Sequence, residues 1–229
     1  MVEVDRVMIE DLHITLSQMM ENAGHHLAEL ARQRFFGGNP VGKSVVVLAG
    51  KGGNGGGAMV CARHLHNRGS DVRVVLAVPK GELTLGPAMQ LHILQRMQLP
   101  IHQAGEEGQL DKVDLIVDGL IGYHLSGAPR SPVDALVRWA NKQKAPILAL
   151  DIPTGVDATT GEVYKPAIRA AATMTLGLPK TGMRISQAVG HVGELYLADI
   201  SVPPMVYQKL GLKEDLGSLF AEEDILKLD

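Results

Sequence analysis

The chain has 229 residues, a formal net charge of -3 and 45% hydrophobic residues, which is enough to fill the core of one sizeable domain. The charge balance and an aromatic content of 3% argue against nucleic acid as a partner, because phosphate binding needs a basic surface and single strands need stacking platforms. A single cysteine excludes an internal disulfide framework and a cysteine-based zinc cluster.

The first predicted elements are a helix, a strand and a glycine-rich turn. Apolar residues at steps of three and four predict a helix over Leu16–Phe36. The β-branched apolar run Val45–Leu48 predicts a buried strand. It leads into the stretch Gly50–Gly57, and helical spacing resumes over Met59–Asn67. We therefore interpret the glycines as a loop between a strand and a helix.

The rest of the chain continues as alternating strands and helices. Strands are predicted at Val72–Ala77, Pro100–His102, Asp114–Val117, Pro146–Leu150, Ala171–Leu176 and Glu194–Ala198, and helices at Pro87–Met97 and Pro132–Lys142. The amphipathic tail from Leu210 predicts a docked terminal helix. This alternation predicts an α/β fold, a three-layer αβα sandwich with a mostly parallel central sheet. We expect a single domain over residues 1–229.

The start of the chain shows no export pattern. MVEVDRVMIEDL carries acidic residues and lacks the apolar block of a secretory signal. No stretch reaches membrane-spanning length without charge. We expect a cytoplasmic protein with no membrane partner.

The first, fourth and fifth strands should lie side by side, and each ends in a loop with polar groups. Asn54 lies among the glycines, Asp118 ends the fourth strand, and Asp151 and Thr154 follow the fifth. In an open parallel sheet, ligands bind at the carboxyl ends of the strands, where the strand order reverses. Glycines between a strand and a helix present backbone N–H groups to an anion such as a pyrophosphate. Asn54, Asp118 and Thr154 offer hard oxygen ligands, which suit an alkali or alkaline-earth cation better than zinc.

The glycine stretch does not match the usual nucleotide motifs. G-x-G-x-x-G can be laid over Gly50–Gly55, but among so many glycines that match carries little weight. No clear acidic residue closes the second strand at Ala77–Pro79 to hold a ribose, and the phosphate-cradling G-x-x-x-x-G-K-[ST] is absent. An ordinary NAD-dependent oxidoreductase is therefore the weakest of the interpretations.

Five segments, in order, resemble one family. LSQMMENAGHHLAELA resembles its LMENAG helix, and VVVLAGKGGNGGGAMVCARHL resembles its GPGNNGGDG loop and following ARHL helix. DLIVDGLIGYHLSGAPRSP resembles its D-x-[IV]-[VI]-D-A-[LI]-F-G-T-G-L loop, and ALDIPTGVDATTGEV resembles its DIPSG-x-D-x-x-T-G loop. TMTLGLPKTGM and GELYLADISVPP are similar to its T-x-T-F-G-x-P-K motif and closing strand. The chain thus resembles the YjeF N-terminal domain family, the NAD(P)H-hydrate epimerases, from about Val4 to Pro204.

This resemblance implies a Rossmann-like fold and an activity on a damaged cofactor. The family interconverts the R and S forms of NAD(P)H hydrate, in which water has added at C6 of the nicotinamide ring, and a separate dehydratase then returns the S form to NAD(P)H. The resemblance also implies a potassium ion held by Asn54, Asp118 and Thr154. The substrate-binding residues that it implies are Gly53, Asn54, Gly55, Gly56, Gly57, Gly122, Tyr123, His124, Leu125, Ser126, Gly127, Ala128 and Asp151. We expect a homodimer, with the small-residue patch of the helix at Leu16–Phe36 as a candidate interface.

Asp151 is the predicted catalytic residue, since it matches the aspartate at the reacting ring. Inverting C6 requires an acid to protonate the departing oxygen and a base to activate water that returns to the opposite face. A carboxylate in a dry crevice can do both, and its anionic form stabilises the cationic intermediate. Lys180 is either a further charge at the site or a surface residue, and His124 is a candidate proton carrier.

The glycine loop departs from the family pattern. Gly53, Gly57 and Ala58 stand where the family has Asn, Asp and Gly, while Tyr123 and His124 replace a small Thr and a Gly. The lost carboxylate at position 57 leaves an alternative to an active epimerase open. In that alternative, the domain keeps the fold and binds a nucleotide-like molecule or a protein without catalysis.

Overall fold

A computed structural model describes residues 1–110, 113–212 and 219–228. The helices are α1 (Val2–Arg6), α2 (Leu16–Phe36), α3 (Gly53–Asn67), α4 (Leu85–Arg96), α5 (Val133–Lys142), α6 (Ser186–Val192) and α7 (Pro204–Lys209). The strands are β1 (Ser44–Ala49), β2 (Asp71–Leu76), β3 (Ile101–Gln103), β4 (Leu115–Gly119), β5 (Ile147–Leu150), β6 (Ala172–Leu176), β7 (Glu194–Ala198) and β8 (Ile225–Leu228). A π-helical segment, Val7–Asp11, continues α1. None of the helices in these ranges combines the length and hydrophobicity needed to cross a bilayer.

The strands form one sheet in the order β3-β2-β1-β4-β5-β6-β7-β8. Strands β1 to β7 run parallel, and β8 pairs antiparallel with β7. The order reverses between β1 and β4, and β4 pairs with β5. The predicted neighbourhood of the first, fourth and fifth strands is therefore confirmed, as is the three-layer α/β fold.

The apolar residues of β1 alternate between two hydrophobic cores, one on each face of the sheet. Val45, Val47 and Ala49 pack into a core with α2, α3 and α4, whereas Val46 and Leu48 pack into a second core with α5. All five residues are fully buried. A continuous apolar run is typical of a parallel strand with helices on both faces.

Helix α3 begins six residues earlier than its hydrophobic pattern predicts, so the interpretation of Gly53–Gly57 as a loop is wrong. These residues form the first turns of the helix, and only Gly50 to Gly52 form the connection from β1. Glycine is a poor helix former, but packing overrides that preference here. A Cβ at Gly55 would overlap the Gly50 carbonyl, and one at Gly56 would lie 2.7 Å from the Met20 sulfur.

The small residues of α2, Ala23, Gly24 and Ala28, are buried within the chain, where Gly24 packs against α3. A Cβ at Gly24 would overlap both Val60 and the Gly57 carbonyl of α3, so the two helices approach at van der Waals distance only because this position lacks a side chain. Ala23 and Ala28 are buried next to it. The patch is therefore a helix–helix contact within one chain and not the free surface that a dimer interface requires.

The helix predicted for the tail is also corrected. Residues 219–224 form turns and bends, and Ile225–Leu228 form β8; the intervening part of the prediction, 213–218, lies outside the described residues. Strand β7 would otherwise leave a row of unpaired N–H and C=O groups at the sheet edge. Pairing of Leu226 with Leu197 and of Leu228 with Leu195 supplies those hydrogen bonds.

Candidate active site

A cavity of about 1050 Å³ opens at the carboxyl ends of β1, β4 and β5. Its walls are the connection after β1, the loop after β4, Asp151 and the N-terminal helix. The predicted substrate-binding residues that line it are Gly53, Asn54, Gly57, Gly122, Tyr123, His124, Leu125, Ser126, Gly127, Ala128 and Asp151. The cavity lies where the strand order reverses, as the sheet topology predicts.

Asp151 is buried, with 4% of its surface exposed, and directly follows β5. Its backbone has a φ of 66°, in the left-handed region that non-glycine residues rarely adopt. Such a conformation costs about 1–2 kcal/mol, and residues that keep one concentrate at functional sites. The Asp151 carboxylate accepts a hydrogen bond from the Tyr123 N–H at 3.3 Å on Oδ2.

Lys180 holds the other carboxylate oxygen. Its Nζ lies 2.5 Å from Asp151 Oδ1, and the side chains of Lys180 and Asp151 are 6% and 5% exposed. The ammonium also donates to Thr175 Oγ1 at 3.1 Å and to the Leu176 carbonyl at 2.8 Å. Every Nζ proton therefore has an acceptor, and the alternative of a surface role for Lys180 is wrong.

Gly122 separates Asn54 from Asp151. A Cβ on Gly122 would lie 3.2 Å from Asp151 Oδ2 and 3.3 Å from Asn54 Oδ1, so both oxygens face the same small gap. Asn54 is fixed from the other side because its Nδ2 donates to the Leu150 carbonyl at 3.1 Å. The asparagine thus bridges the start of α3 and the end of β5.

Asp118 and Thr154 lie behind the cavity wall and contact each other. Asp118 accepts from the Thr154 N–H at 2.8 Å on Oδ2 and from the Thr154 hydroxyl at 2.8 Å on Oδ1. The Leu120 N–H donates to Asp118 Oδ1 at 3.2 Å, and Thr154 Oγ1 accepts from the Ile121 N–H at 3.1 Å. Burial raises the pKa of the Asp118 carboxyl to about 6, although the hydrogen bonds from Thr154 and Leu120 act to lower it. The carboxylate is fully buried, and these donors are neutral groups.

Two predicted substrate-binding residues, Gly55 and Gly56, do not line the cavity. Both are buried, Gly55 against the backbone of Gly50 and Gly56 against Met20. Their lack of a side chain serves packing of the α3 start. His124 is exposed on the cavity rim, where its ring stacks on Tyr123 with 4.0 Å between centroids.

The sequence interpretation missed the N-terminal wall of the cavity. It is lined by Met1, Val2, Asp5, Arg6 and Ile9, none of which was predicted to contribute to the site. Valines and methionines at helical spacing in VEVDRVM were an available signal for an amphipathic helix. Glu82, which lies in a turn six residues after the end of β2, also lines the cavity and was not predicted.

Comparison with known proteins identifies the family. The model of a protein family described as "YjeF-related protein N-terminus" matches residues 16–182, so the chain belongs to this family. The chain is 40% identical over 220 residues to an NAD(P)H-hydrate epimerase of Dehalogenimonas lykanthroporepellens, a match that covers 92% of this chain and 83% of the relative. It is 35% identical over 204 residues to an NAD(P)H-hydrate epimerase of Rhodopirellula baltica, which covers 88% of this chain and 82% of the relative.

Longer relatives and a solved structure extend the comparison. A bifunctional NAD(P)H-hydrate repair enzyme of Salinibacter ruber is 36% identical over 224 residues, but the match covers only 41% of that protein. The crystal structure of the yeast protein ynu0 superimposes with a TM-score of 0.82 at 29% identity, over 99% of this chain and 96% of the yeast chain. The family fold therefore extends through nearly the whole chain.

Proposed function

We propose that this protein is an NAD(P)H-hydrate epimerase, an isomerase that repairs hydrated nicotinamide nucleotides. The observation that carries the proposal is the buried Asp151 carboxylate, ion-paired with Lys180 on the wall of a cavity of about 1050 Å³. The relatives named as NAD(P)H-hydrate epimerases align with most of the chain. An acid–base residue in such a cavity is what inversion at C6 requires.

The chemistry needs no oxidant or reductant. The ring nitrogen lone pair expels the C6 oxygen, which takes a proton and leaves as water, and the ring becomes an iminium. Water then adds to the opposite face of C6 and returns one proton to the protein. The first proton comes from the Lys180–Asp151 pair: Lys180 passes a proton to the Asp151 carboxylate, and Asp151 passes it to the departing oxygen. The anionic Asp151 then stabilises the iminium, takes the proton released by the returning water and passes it back to Lys180. Lys180 compensates the carboxylate charge in the absence of substrate and fixes its orientation.

The start of α3 and the loop after β4 form the remaining binding surface. Gly52 and Gly53 line the cavity at the N-terminus of a helix, where backbone N–H groups and the positive end of the dipole favour a pyrophosphate. The loop from Gly122 to Ala128 forms the facing wall. Asp151 then contacts the nicotinamide ring while the phosphates lie over α3.

We further propose that Asn54, Asp118 and Thr154 hold a potassium ion. The residues fit such an ion because the Asp118 carboxylate is fully buried with neutral hydrogen-bond donors, and a cation would offset the cost of its charge. The amide, carboxylate and hydroxyl oxygens are ligands of the type that alkali cations prefer. When bound, potassium would compensate Asp118 and orient phosphate and sugar oxygens of the substrate.

Potassium should raise the thermal unfolding midpoint of the wild type. At a concentration ten times its dissociation constant, a bound ion adds about 1.4 kcal/mol, or about 4 °C for a domain of this size. The comparison is potassium chloride against tetramethylammonium chloride at equal ionic strength, followed by differential scanning fluorimetry. Asp118→Asn should lose the increment, and Asp134→Asn, on the surface of α5, should keep it. An equal increment in Asp118→Asn would contradict the proposed ligand set.

The activity itself is tested with pure R-hydrate of NADH and of NADPH. We expect the protein to bring each to the equilibrium mixture of R and S forms much faster than the uncatalysed reaction, as followed by chromatography. A rate equal to the background would instead support a binding domain without catalysis. The S form then passes to a dehydratase, the second activity implied by the bifunctional name of the longer relatives.

We also propose that the protein is cytoplasmic and forms a homodimer. Analytical ultracentrifugation of the purified protein tests the dimer.

A further inference from the structure

The N-terminal helix forms one wall of the cavity and is held in place by buried apolar residues. Val4, Val7 and Met8 are 1%, 2% and 0% exposed and pack with residues of α2 and α7 in a separate hydrophobic cluster. The polar side of α1 brings Asp5 to the cavity. The family match begins at residue 16, so this wall lies outside the matched segment.

Tyr123 connects this wall to Asp151. Its hydroxyl donates a hydrogen bond to the Asp5 carboxylate, across 118 positions of sequence, and its backbone N–H donates to Asp151 Oδ2 at 3.3 Å. Burial raises the pKa of the Tyr123 hydroxyl above its usual value, and Asp5 and then Asp151 act in the same direction. The hydroxyl therefore stays protonated, and remains a donor, at neutral pH.

We propose that Tyr123 is a positioning residue for the epimerisation, with its hydroxyl anchored to Asp5 so that its backbone N–H orients the Asp151 carboxylate. The inference rests on the proposed function. It depends on the tyrosine, because the small threonine of the family pattern at position 123 is too short to reach Asp5. Lys180 already holds Oδ1, so the N–H of Tyr123 fixes the rotation of the carboxylate about its own axis.

The geometry explains why the anchor matters. The donor–acceptor distance of 3.3 Å is at the long end for an N–H···O bond, so a small shift of the loop after β4 would break it. The ring packs half-buried between His124 and a hydrophobic cluster that contains Ile152. Its hydroxyl bond to Asp5 supplies the directional contact that fixes the ring in one place.

The test compares Tyr123→Phe, Asp5→Ala, their double variant and Asp5→Asn by steady-state kinetics with the R-hydrate. Tyr123→Phe and Asp5→Ala should each lower kcat by about tenfold or more and change KM by less than about twofold. The double variant should be no worse than either single variant, because both remove the same hydrogen bond. Asp5→Asn keeps an oxygen acceptor and should restore most of the rate.

Tyr196→Phe is the matched control, since the Tyr196 hydroxyl also donates to a carboxylate, Glu194, but on β7 outside the cavity lining. The Tyr196→Phe variant should leave kcat unchanged. The change in its unfolding midpoint measures how much stability is lost when a tyrosine–carboxylate hydrogen bond is removed away from the site. Wild-type kcat in Tyr123→Phe, or additive losses in the double variant, would overturn the inference while leaving the proposed function intact. No turnover by the wild type would overturn both.

Discussion

Asp151→Asn should reduce the epimerisation rate by about 10²- to 10⁴-fold, the usual contribution of general acid–base catalysis. Asparagine keeps the shape of the side chain but can neither accept the proton of the returning water nor stabilise an iminium by charge. The rate is measured with the R-hydrate, and residual turnover should approach the uncatalysed background. Asp134→Asn, the same exchange on the surface of α5, should retain the wild-type rate.

The effect on activity must be separated from an effect on folding. Removing one partner of a buried ion pair leaves the other charge uncompensated, which costs about 3–5 kcal/mol. Because Lys180 is as buried as Asp151, Asp151→Asn should also lower the denaturant midpoint. Adding Lys180→Met to Asp151→Asn should recover stability without recovering turnover. Wild-type turnover in Asp151→Asn would exclude the residue from proton transfer and from charge stabilisation.

The sheet and its crevice could be predicted because their signals are local. A fully apolar run such as Val45–Leu48 has few alternatives to a strand covered on both faces, and alternation with helices then fixes parallel pairing. Parallel strands place their carboxyl ends at one edge, so Asn54, Asp118 and Asp151 were expected at the same edge of the sheet. Their closeness also depends on the strand order, which places β1, β4 and β5 side by side.

The features that could not be predicted depend on contacts distant in sequence. A run of glycines predicts a loop when its packing partners are unknown. Gly55 and Gly56 can be part of the helix only as glycines, because Gly50 and Met20 occupy the space that side chains would need. The pairing of β8 depends on a free edge of β7, which local hydropathy does not report. Lys180 could be assigned to the site or to the surface until the structure placed it against Asp151.

The structure shows what surrounds Gly57 and Ala58, two of the residues of the glycine stretch that differ from the family pattern. Gly57 lines the cavity, and a Cβ there would lie 3.0 Å from a terminal methyl of Leu150, so this buried side chain would have to shift slightly to accept it. The carboxylate missing at position 57 is thus a change inside the cavity, which Asp151 also lines. Ala58, in contrast, is fully buried, does not line the cavity, and faces Gly119 of β4.

Ala58 and Gly119 form a compensated pair. The family pattern has glycine at position 58 and alanine at position 119, and this chain has the reverse. A Cβ on Gly119 would overlap the Cβ of Ala58, with the Leu48 and Asn54 carbonyls at 3.1 and 3.2 Å. One methyl group therefore fills the space between α3 and β4, and it can be supplied from either side. Ala58 is then no sign of a degenerate site.

Gly119→Ala alone should destabilise the protein by about 3 kcal/mol, because two methyl groups cannot share that space and neither the helix nor the strand can move freely. Ala58→Gly alone should cost about 1 kcal/mol, from a lost methyl contact and from glycine in a helix. The double variant recreates the family arrangement and should be more stable than Gly119→Ala, with a coupling energy of about 2 kcal/mol. Urea unfolding of the four proteins measures all three values. If the free-energy changes of the two single variants simply add in the double variant, the two positions do not compensate each other. Removing the methyl group of Ala58 would then not make an alanine at position 119 any easier to accommodate.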